Sequence, residues 1–248
     1  MDDFRIFSIR EPHHRIHNPL TEEQFACLGA ALDLPAGASV LDLACGSGEM
    51  LCTWARDHGV TGVGVDIYPG FIASAVARAK ELGVSDAVRF VASDAAGYVT
   101  DEPVDVAACV GATWIGGGVP GTLALLRQSL KPGGTLLVGE PFWRTVPTSP
   151  EVLAWCGAQS ADDFLTLSDL LASFSTQGYD VVEMVCATEE SWDRYMTPQW
   201  LNMRRWADAN PGHELHDEVR RALATEPQQY AAGMRAHVGW GAFALVAR

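Results

Sequence analysis

The strongest constraint on this chain is a change of period that repeats along its first 140 residues. Short runs of β-branched and aliphatic residues alternate with stretches of helical spacing. The runs are SVLDLA (39–44), GVGVDI (62–67), AVRFVAS (87–93), VDVAACVG (104–111) and TLLVGE (135–140). Between them lie GEMLCTWARDHG (48–59), PGFIASAVARAKELG (69–83) and VPGTLALLRQSL (119–130). TEEQFACLGAALDL (21–34) precedes the first run, with Thr21 and Gln24 spaced as a capping box. Pro69 suits the first turn of its helix, and Gly59 and Gly83 suit helix ends. Strands alternating with helices predict a doubly wound α/β sheet. VDVAACVG is apolar on both faces, as a central parallel strand requires.

The last third departs from this rhythm. LSDLLASFSTQG (167–178) reads as a helix with Ser168 as its N-cap, DVVEMVCA (180–187) as a strand and FALVAR (243–248) as a closing strand. That makes seven strands. The final two are separated by far more chain than such a connection needs. The expected division is therefore a core with an N-terminal cap over 1–187, a helical lid over 188–240 inserted before the last strand, and a final core strand over 241–248. Insertions of this kind often cover active sites.

Composition narrows the function. The net charge of −14, from 17 basic and 31 acidic residues, argues against gripping nucleic acid phosphates. No run of eighteen apolar residues predicts a membrane span, and the first twenty residues lack an apolar secretory core. The six cysteines, Cys27, Cys45, Cys52, Cys109, Cys156 and Cys186, form no CxxC pair. They read as free thiols of a cytoplasmic protein, with no metal site implied.

The richest segment is VLDLACGSGEM (40–50), between the first strand and its helix. Its glycines allow a sharp turn and close approach to a ligand. Asp42 lies inside the strand, ahead of the loop. Asp66 ends the second strand, twenty residues beyond Gly46, where a carboxylate can accept from ribose hydroxyls. Ser93-Asp94 ends the third strand and can meet an adenine edge. Together they describe an adenosine-type ligand across the strand ends. A nicotinamide dinucleotide is the competing ligand, but the GxGxxG spacing fails because position 51 is Leu.

DLACGSG (42–48) and the LKPGG turn (130–134) resemble the class I S-adenosylmethionine (SAM) dependent methyltransferases, with Ala44 in place of the family's first glycine. HRIHNPLTEEQ (14–24), GATWIGGG (111–118) and GEPFWR (139–144) are similar to the YjhP-like bacterial methyltransferases. The resemblance covers about residues 20–187 and the last strand. It implies a Rossmann-like seven-stranded fold with SAM as cofactor. Ala44, Gly46 and Gly48 would shape the loop under the methionine part, and Asp42 would orient the loop or the amino group. Asp66 would hold the ribose, Ile67 would pack on the adenine, Asp94 and the Ala95 backbone would meet its amino edge, and Val110 and Gly111 would lie beside the sulfonium.

In this fold a methyl acceptor approaches above strands four and five. Trp114, Glu140, Trp143 and Arg144 are therefore expected there. Glu140 is a candidate base or orienting group, and Trp114 can stabilise the sulfonium through its indole face. The lid supplies Trp192, Tyr195, Trp200 and Arg204 as acceptor contacts or as packing. Three histidines fall in EPHHRIHNP (11–19), where a metal site and an active-site cap are both conceivable. Pro12 and Pro19 oppose a long regular helix there, and the resemblance implies a cap of His13, His14, Arg15 and His17. His14 or His17 would then serve as base. The implied function is methyl transfer to a small-molecule acceptor by in-line SN2 displacement. Partners are a small-molecule substrate, no nucleic acid and no membrane, with a homodimer left open by the lid tryptophans. Two alternatives stand: a SAM-consuming enzyme that releases methylthioadenosine by cyclisation or lysis, and a SAM-binding protein without chemistry.

Overall fold

A computed structural model describes residues 2–248. Its seven strands are β1 (Ser39–Leu43), β2 (Thr61–Asp66), β3 (Val88–Ala92), β4 (Val104–Val110), β5 (Leu130–Trp143), β6 (Tyr179–Cys186) and β7 (Val238–Ala247). They form one sheet in the order β3-β2-β1-β4-β5-β7-β6. β1 pairs parallel with β2 and β4, β2 with β3 and β4 with β5, while β6 and β7 are antiparallel. The order reverses between β1 and β4, and such a reversal opens a ligand crevice at the carboxyl ends of the strands. β1 and β4 are buried nearly throughout, with Leu41, Leu43, Val106, Ala107 and Ala108 fully enclosed.

Ten helices accompany the described strands: α1 (Asp2–Arg10), α2 (Glu22–Ala31), α3 (Glu49–His58), α4 (Pro69–Glu81), α5 (Val119–Arg127), α6 (Pro150–Trp155), α7 (Leu167–Thr176), α8 (Glu189–Ala209), α9 (His216–Ala232) and α10 (Met234–His237). Thr21 and Gln24 close the expected capping box on α2. Gly59 ends α3 in the left-handed conformation, and Pro69 opens α4.

Several boundaries differ from the sequence reading, each for a local reason. LKPGG is part of β5 rather than a free turn. Leu130 pairs with Val104, and the ladder slips before resuming at Val106 and Thr135. Gly134 allows this approach, since a Cβ there would fall 2.8 Å from the Asp105 carbonyl oxygen. The cap of α7 is Thr166, not Ser168. The Thr166 hydroxyl accepts from the Asp169 amide at 3.2 Å and donates to the Asp169 carboxylate at 2.7 Å. β7 starts at Val238, five residues before FALVAR, so the chain between β6 and β7 is shorter than expected. α1, α6 and two 3-10 turns, Thr113–Gly116 and Ala161–Asp163, went unforeseen because none carries a long apolar period.

The chain divides into two compact units. The sheet unit comprises Leu20–Glu140, Leu171–Cys186 and Trp240–Arg248. The helical unit comprises Met1–Pro19, Pro141–Leu170 and Ala187–Gly239. The expected division put the N-terminal segment and residues 141–170 with the core. Instead they compact with the lid, because α1 buries Ile9 against Met203, Ala207 and Val219 of α8 and α9. Arg10 also pairs with Glu226, and the Asn202 amide donates to the Arg10 carbonyl at 2.8 Å.

β6 is an edge strand of the sheet, and its register with β7 slips between Val181 and Glu183, leaving Val182 as an extra residue. No helix of the described residues is long and apolar enough to cross a membrane.

Candidate active site

In the sheet unit, β1 carries Asp42 opposite Gly64 of β2 and Ala108 of β4. Asp42 is 3% exposed. Burial, then the nearby charge of Asp66, pushes its carboxyl up to about 8. The loop that follows holds three consecutive alternate left-handed residues, Ala44 (φ 58°), Gly46 (φ 53°) and Gly48 (φ 70°). Ala44 thus adopts the backbone that the glycine it replaces would adopt freely. Asp66 clasps this loop. One carboxylate oxygen accepts from the Gly46 amide and the other from the Tyr68 amide, both at 2.9 Å. Behind the loop, Glu49 opens α3 and forms a buried two-point ion pair with Arg78 of α4, at 2.7 and 2.8 Å. That pair escaped the sequence reading, though an acid directly after a glycine loop at a helix start is a visible signal.

The remaining cofactor candidates lie on neighbouring strand ends. Ile67 follows Asp66 and is 57% exposed, unusual for so large an apolar side chain. Asp94 follows β3 and accepts from the Ala96 amide at 2.9 Å, with Ala95 buried beside it. Val110 ends β4 opposite Gly139, and the Gly111 amide donates to the Gly139 carbonyl at 3.1 Å.

Glu140 is the next residue of β5 and is half-buried. Thr113 donates its hydroxyl to Glu140 Oε2 at 2.7 Å, while the Thr113 carbonyl accepts from the Thr122 hydroxyl at 2.7 Å. Thr113 was missed from sequence, although it stands directly in GATW beyond β4. The loop is pinned at Gly121, where a Cβ would lie 1.9 Å from the Gly116 carbonyl oxygen. Burial raises Glu140 to about 7, and the Thr113 bond offsets this in part. Trp114 stands at the loop tip, 74% exposed.

The other candidates belong to the helical unit. Residues 11–19 are not helical, so the histidines share no helix face. Glu11 organises them instead. Its Oε2 meets His17 Nδ1 at 2.7 Å, and its Oε1 accepts from the Tyr195 hydroxyl at 2.7 Å. His14 Nε2 donates to the Tyr195 carbonyl at 3.2 Å. His13 and Arg15 are exposed. No cluster of three metal-ligating side chains occurs among the described residues.

Five of the expected acceptor contacts make packing, hydrogen-bond or ion-pair contacts within the helical unit. Trp143 is 2% exposed, packs on Phe164 and donates its indole N–H to the Ala161 carbonyl at 2.8 Å, because β5 continues beyond Glu140 and carries it inward. Trp192 is one of the buried residues of α8, 3% exposed. Arg204 pairs with Asp208 one turn along α8, in solvent. Arg144 is exposed and donates to the Ala187 carbonyl at 2.9 Å, and Trp200 packs edge-on against Tyr230.

A methyltransferase-domain family model matches residues 40–134, the span from β1 through the glycine loop and β4 into β5. The chain is 56% identical to YjhP of Escherichia coli strain K12 over the full length of both proteins. It superposes with a TM-score of 0.97 on the SAM-dependent methyltransferase of Geobacter sulfurreducens in complex with S-adenosylhomocysteine, at 59% identity over 98% of each chain. The corresponding methyltransferase of Thiobacillus denitrificans, also in complex with S-adenosylhomocysteine, gives a TM-score of 0.96 at 61% identity, again over 98% of each chain. A left-handed loop clasped by a strand-end aspartate, on a sheet of this order and with relatives this near, has one family reading: the chain is a SAM-dependent methyltransferase.

Proposed function

We propose that this methyltransferase binds SAM in the sheet unit and transfers its methyl group to a small-molecule acceptor by in-line displacement. The observation that carries the cofactor placement is the donor–acceptor balance of the crevice. Asp42, Asp66 and Asp94 are acceptors, Ile67 is an exposed apolar surface, and none of the candidate residues is a cation. Such a set suits a ligand rich in donors, namely an ammonium, ribose hydroxyls and an adenine amine. It is wrong for a pyrophosphate, which needs donors or cations. Asp42 in particular is a buried carboxyl pushed upward with no donor facing it among the described residues, so an ammonium would relieve it.

Bound SAM supplies an activated methyl on a sulfonium, and sulfur leaves with the C–S electron pair. The chain's part is alignment and exclusion of water. Val110 and Gly111 place backbone at the transfer point, Glu140 receives a proton where the acceptor sheds one, and Trp114 offers an indole face. Selection among acceptors of one class is assigned to the helical unit, with Glu11 holding His17 and Tyr195 in place and Arg144 as one of its exposed cations. Six free thiols fit a cytoplasmic setting.

Incubation with SAM, with and without a metabolite extract, tests the reading by mass spectrometry of the nucleoside product. Extract-dependent S-adenosylhomocysteine is expected. Methylthioadenosine formed without extract would make SAM itself the substrate, and binding without any product would leave a cofactor-binding protein. Exchanging 189–238 for a relative's segment is expected to change the acceptor profile, and an unchanged profile removes the helical unit from acceptor choice.

A further inference from the structure

Glu140 is a carboxylate in an unusual position. It is half-buried at the end of the sheet's central ladder, one residue past the Val110–Gly139 pair. Among the described residues its only hydrogen-bond donor is Thr113, which occupies Oε2. No Arg or Lys among the described residues is paired with it, whereas Glu49, a buried glutamate of the same unit, has a two-point arginine partner. The backbone that carries Thr113 is held by the close approach of Gly116 and Gly121 and by the Thr122 hydroxyl on its carbonyl. Oε1 has no donor among the described residues. The next residue along from Thr113 is Trp114, whose indole is 74% exposed. A carboxylate without a counter-cation, whose hydrogen-bond partner is followed directly by an exposed indole, supplies the two groups that recognise an ammonium.

We infer that the methyl acceptor is an amine, held by Glu140 Oε1 and the Trp114 indole, and that the reaction is N-methylation. This rests on the SAM-dependent reading above and specifies its substrate class. The sign of the developing charge supports it. When an amine nitrogen attacks, its lone pair forms the N–C bond, the C–S pair goes to sulfur, and positive charge grows on nitrogen. The bound ammonium first sheds one proton to solvent, which frees that lone pair, and the Glu140 carboxylate then stabilises the growing charge and takes an N–H proton onto Oε1. An oxygen or carboxylate acceptor would carry negative charge towards Glu140, with no cation at this site to offset it.

The test uses calorimetric titration of the full chain, with and without S-adenosylhomocysteine, against three probes of one shape: benzylammonium, benzyl alcohol and benzoate. The expected order places benzylammonium about ten-fold or more ahead of benzoate. Glu140→Gln is expected to abolish that preference, and Trp114→Ala to weaken it while S-adenosylhomocysteine binding persists. Equal or better binding of benzoate, no benzylammonium binding at tens of millimolar, or a preference that survives Glu140→Gln overturns the inference. Failure to bind S-adenosylhomocysteine overturns the cofactor reading instead, and the two failures are read in separate titrations. With trideuteromethyl SAM and a metabolite extract, the label is expected on nitrogen, and a label on oxygen, sulfur or carbon also overturns the assignment.

Discussion

The two units reach order by different means. In the sheet unit the site is made of backbone: left-handed residues, strand ends in register, and one carboxylate, Asp66, gripping two amides. In the helical unit it is made of long side chains reaching across sequence, with Glu11 between His17 and Tyr195 and Asp193 between Tyr230 and Arg235. A backbone site depends on a few positions where the left-handed conformation favours glycine and restricts exchange. A side-chain network spreads its energy over partners and tolerates exchange of some of them.

The sharpest way to break the contrast is Asp66→Ala. Two amides lose a charged acceptor at once, so S-adenosylhomocysteine affinity is expected to fall by about 100-fold or more, measured by calorimetry. A loss no larger than that from a helical-unit change would erase the distinction.

Asp42 offers a pH signature confined to the sheet unit. Below about pH 4 its carboxyl is protonated in both folded and unfolded chains, so Asp42→Asn changes the melting temperature little there. As pH rises, the unfolded chain ionises at its ordinary 3.8 while the folded group keeps its proton up to about 8. The unliganded wild type therefore loses stability across that window, on the order of a few kcal/mol, and Asp42→Asn does not. Melting curves of both proteins from pH 4 to 9 check the divergence, and parallel curves would contradict it.

Tyr195→Phe probes the other unit. It removes the hydroxyl donor from Glu11 and is expected to cost about 1.5–3 kcal/mol in denaturant unfolding. S-adenosylhomocysteine affinity is expected to stay within about two-fold. A large affinity loss would mean that the networks are energetically one.

The smallest effect belongs to Ala44→Gly. A left-handed alanine carries about 1–2 kcal/mol of steric cost, while glycine adds about 0.5–1 kcal/mol of chain entropy. The net expectation is a gain of up to about 1 kcal/mol, or a melting-temperature rise of about 2–4 °C at most. A fall would show that the alanine methyl makes a contact worth more than the strain.

The sheet unit was largely legible in the sequence because its information is local. Alternating periods place the strands, Thr21 and Gln24 announce a cap, and Asp42, Asp66 and the glycines mark the loop at fixed spacing. The helical unit was not, because its information is relational. Nothing in EPHHRIHNP says that Glu11 will meet Tyr195, 184 positions away. Trp143 misled for a related reason: the sequence shows that a strand ends near Glu140, but not that it continues three residues and turns the indole inward. Thr113 lay in plain sight, yet a threonine carries no chemical flag until its carboxylate partner is known.

The extra residue in β6 has a consequence for the molecule's company rather than its catalysis. An eight-residue edge strand with outward Val182 and Met184 is a template on which another strand could grow. The two-to-one mismatch at Val182 bends that template out of step, so a flat incoming strand finds neighbouring hydrogen-bond positions misaligned. Deleting Val182 would restore an even ladder, and with it an open invitation to sheet-to-sheet aggregation.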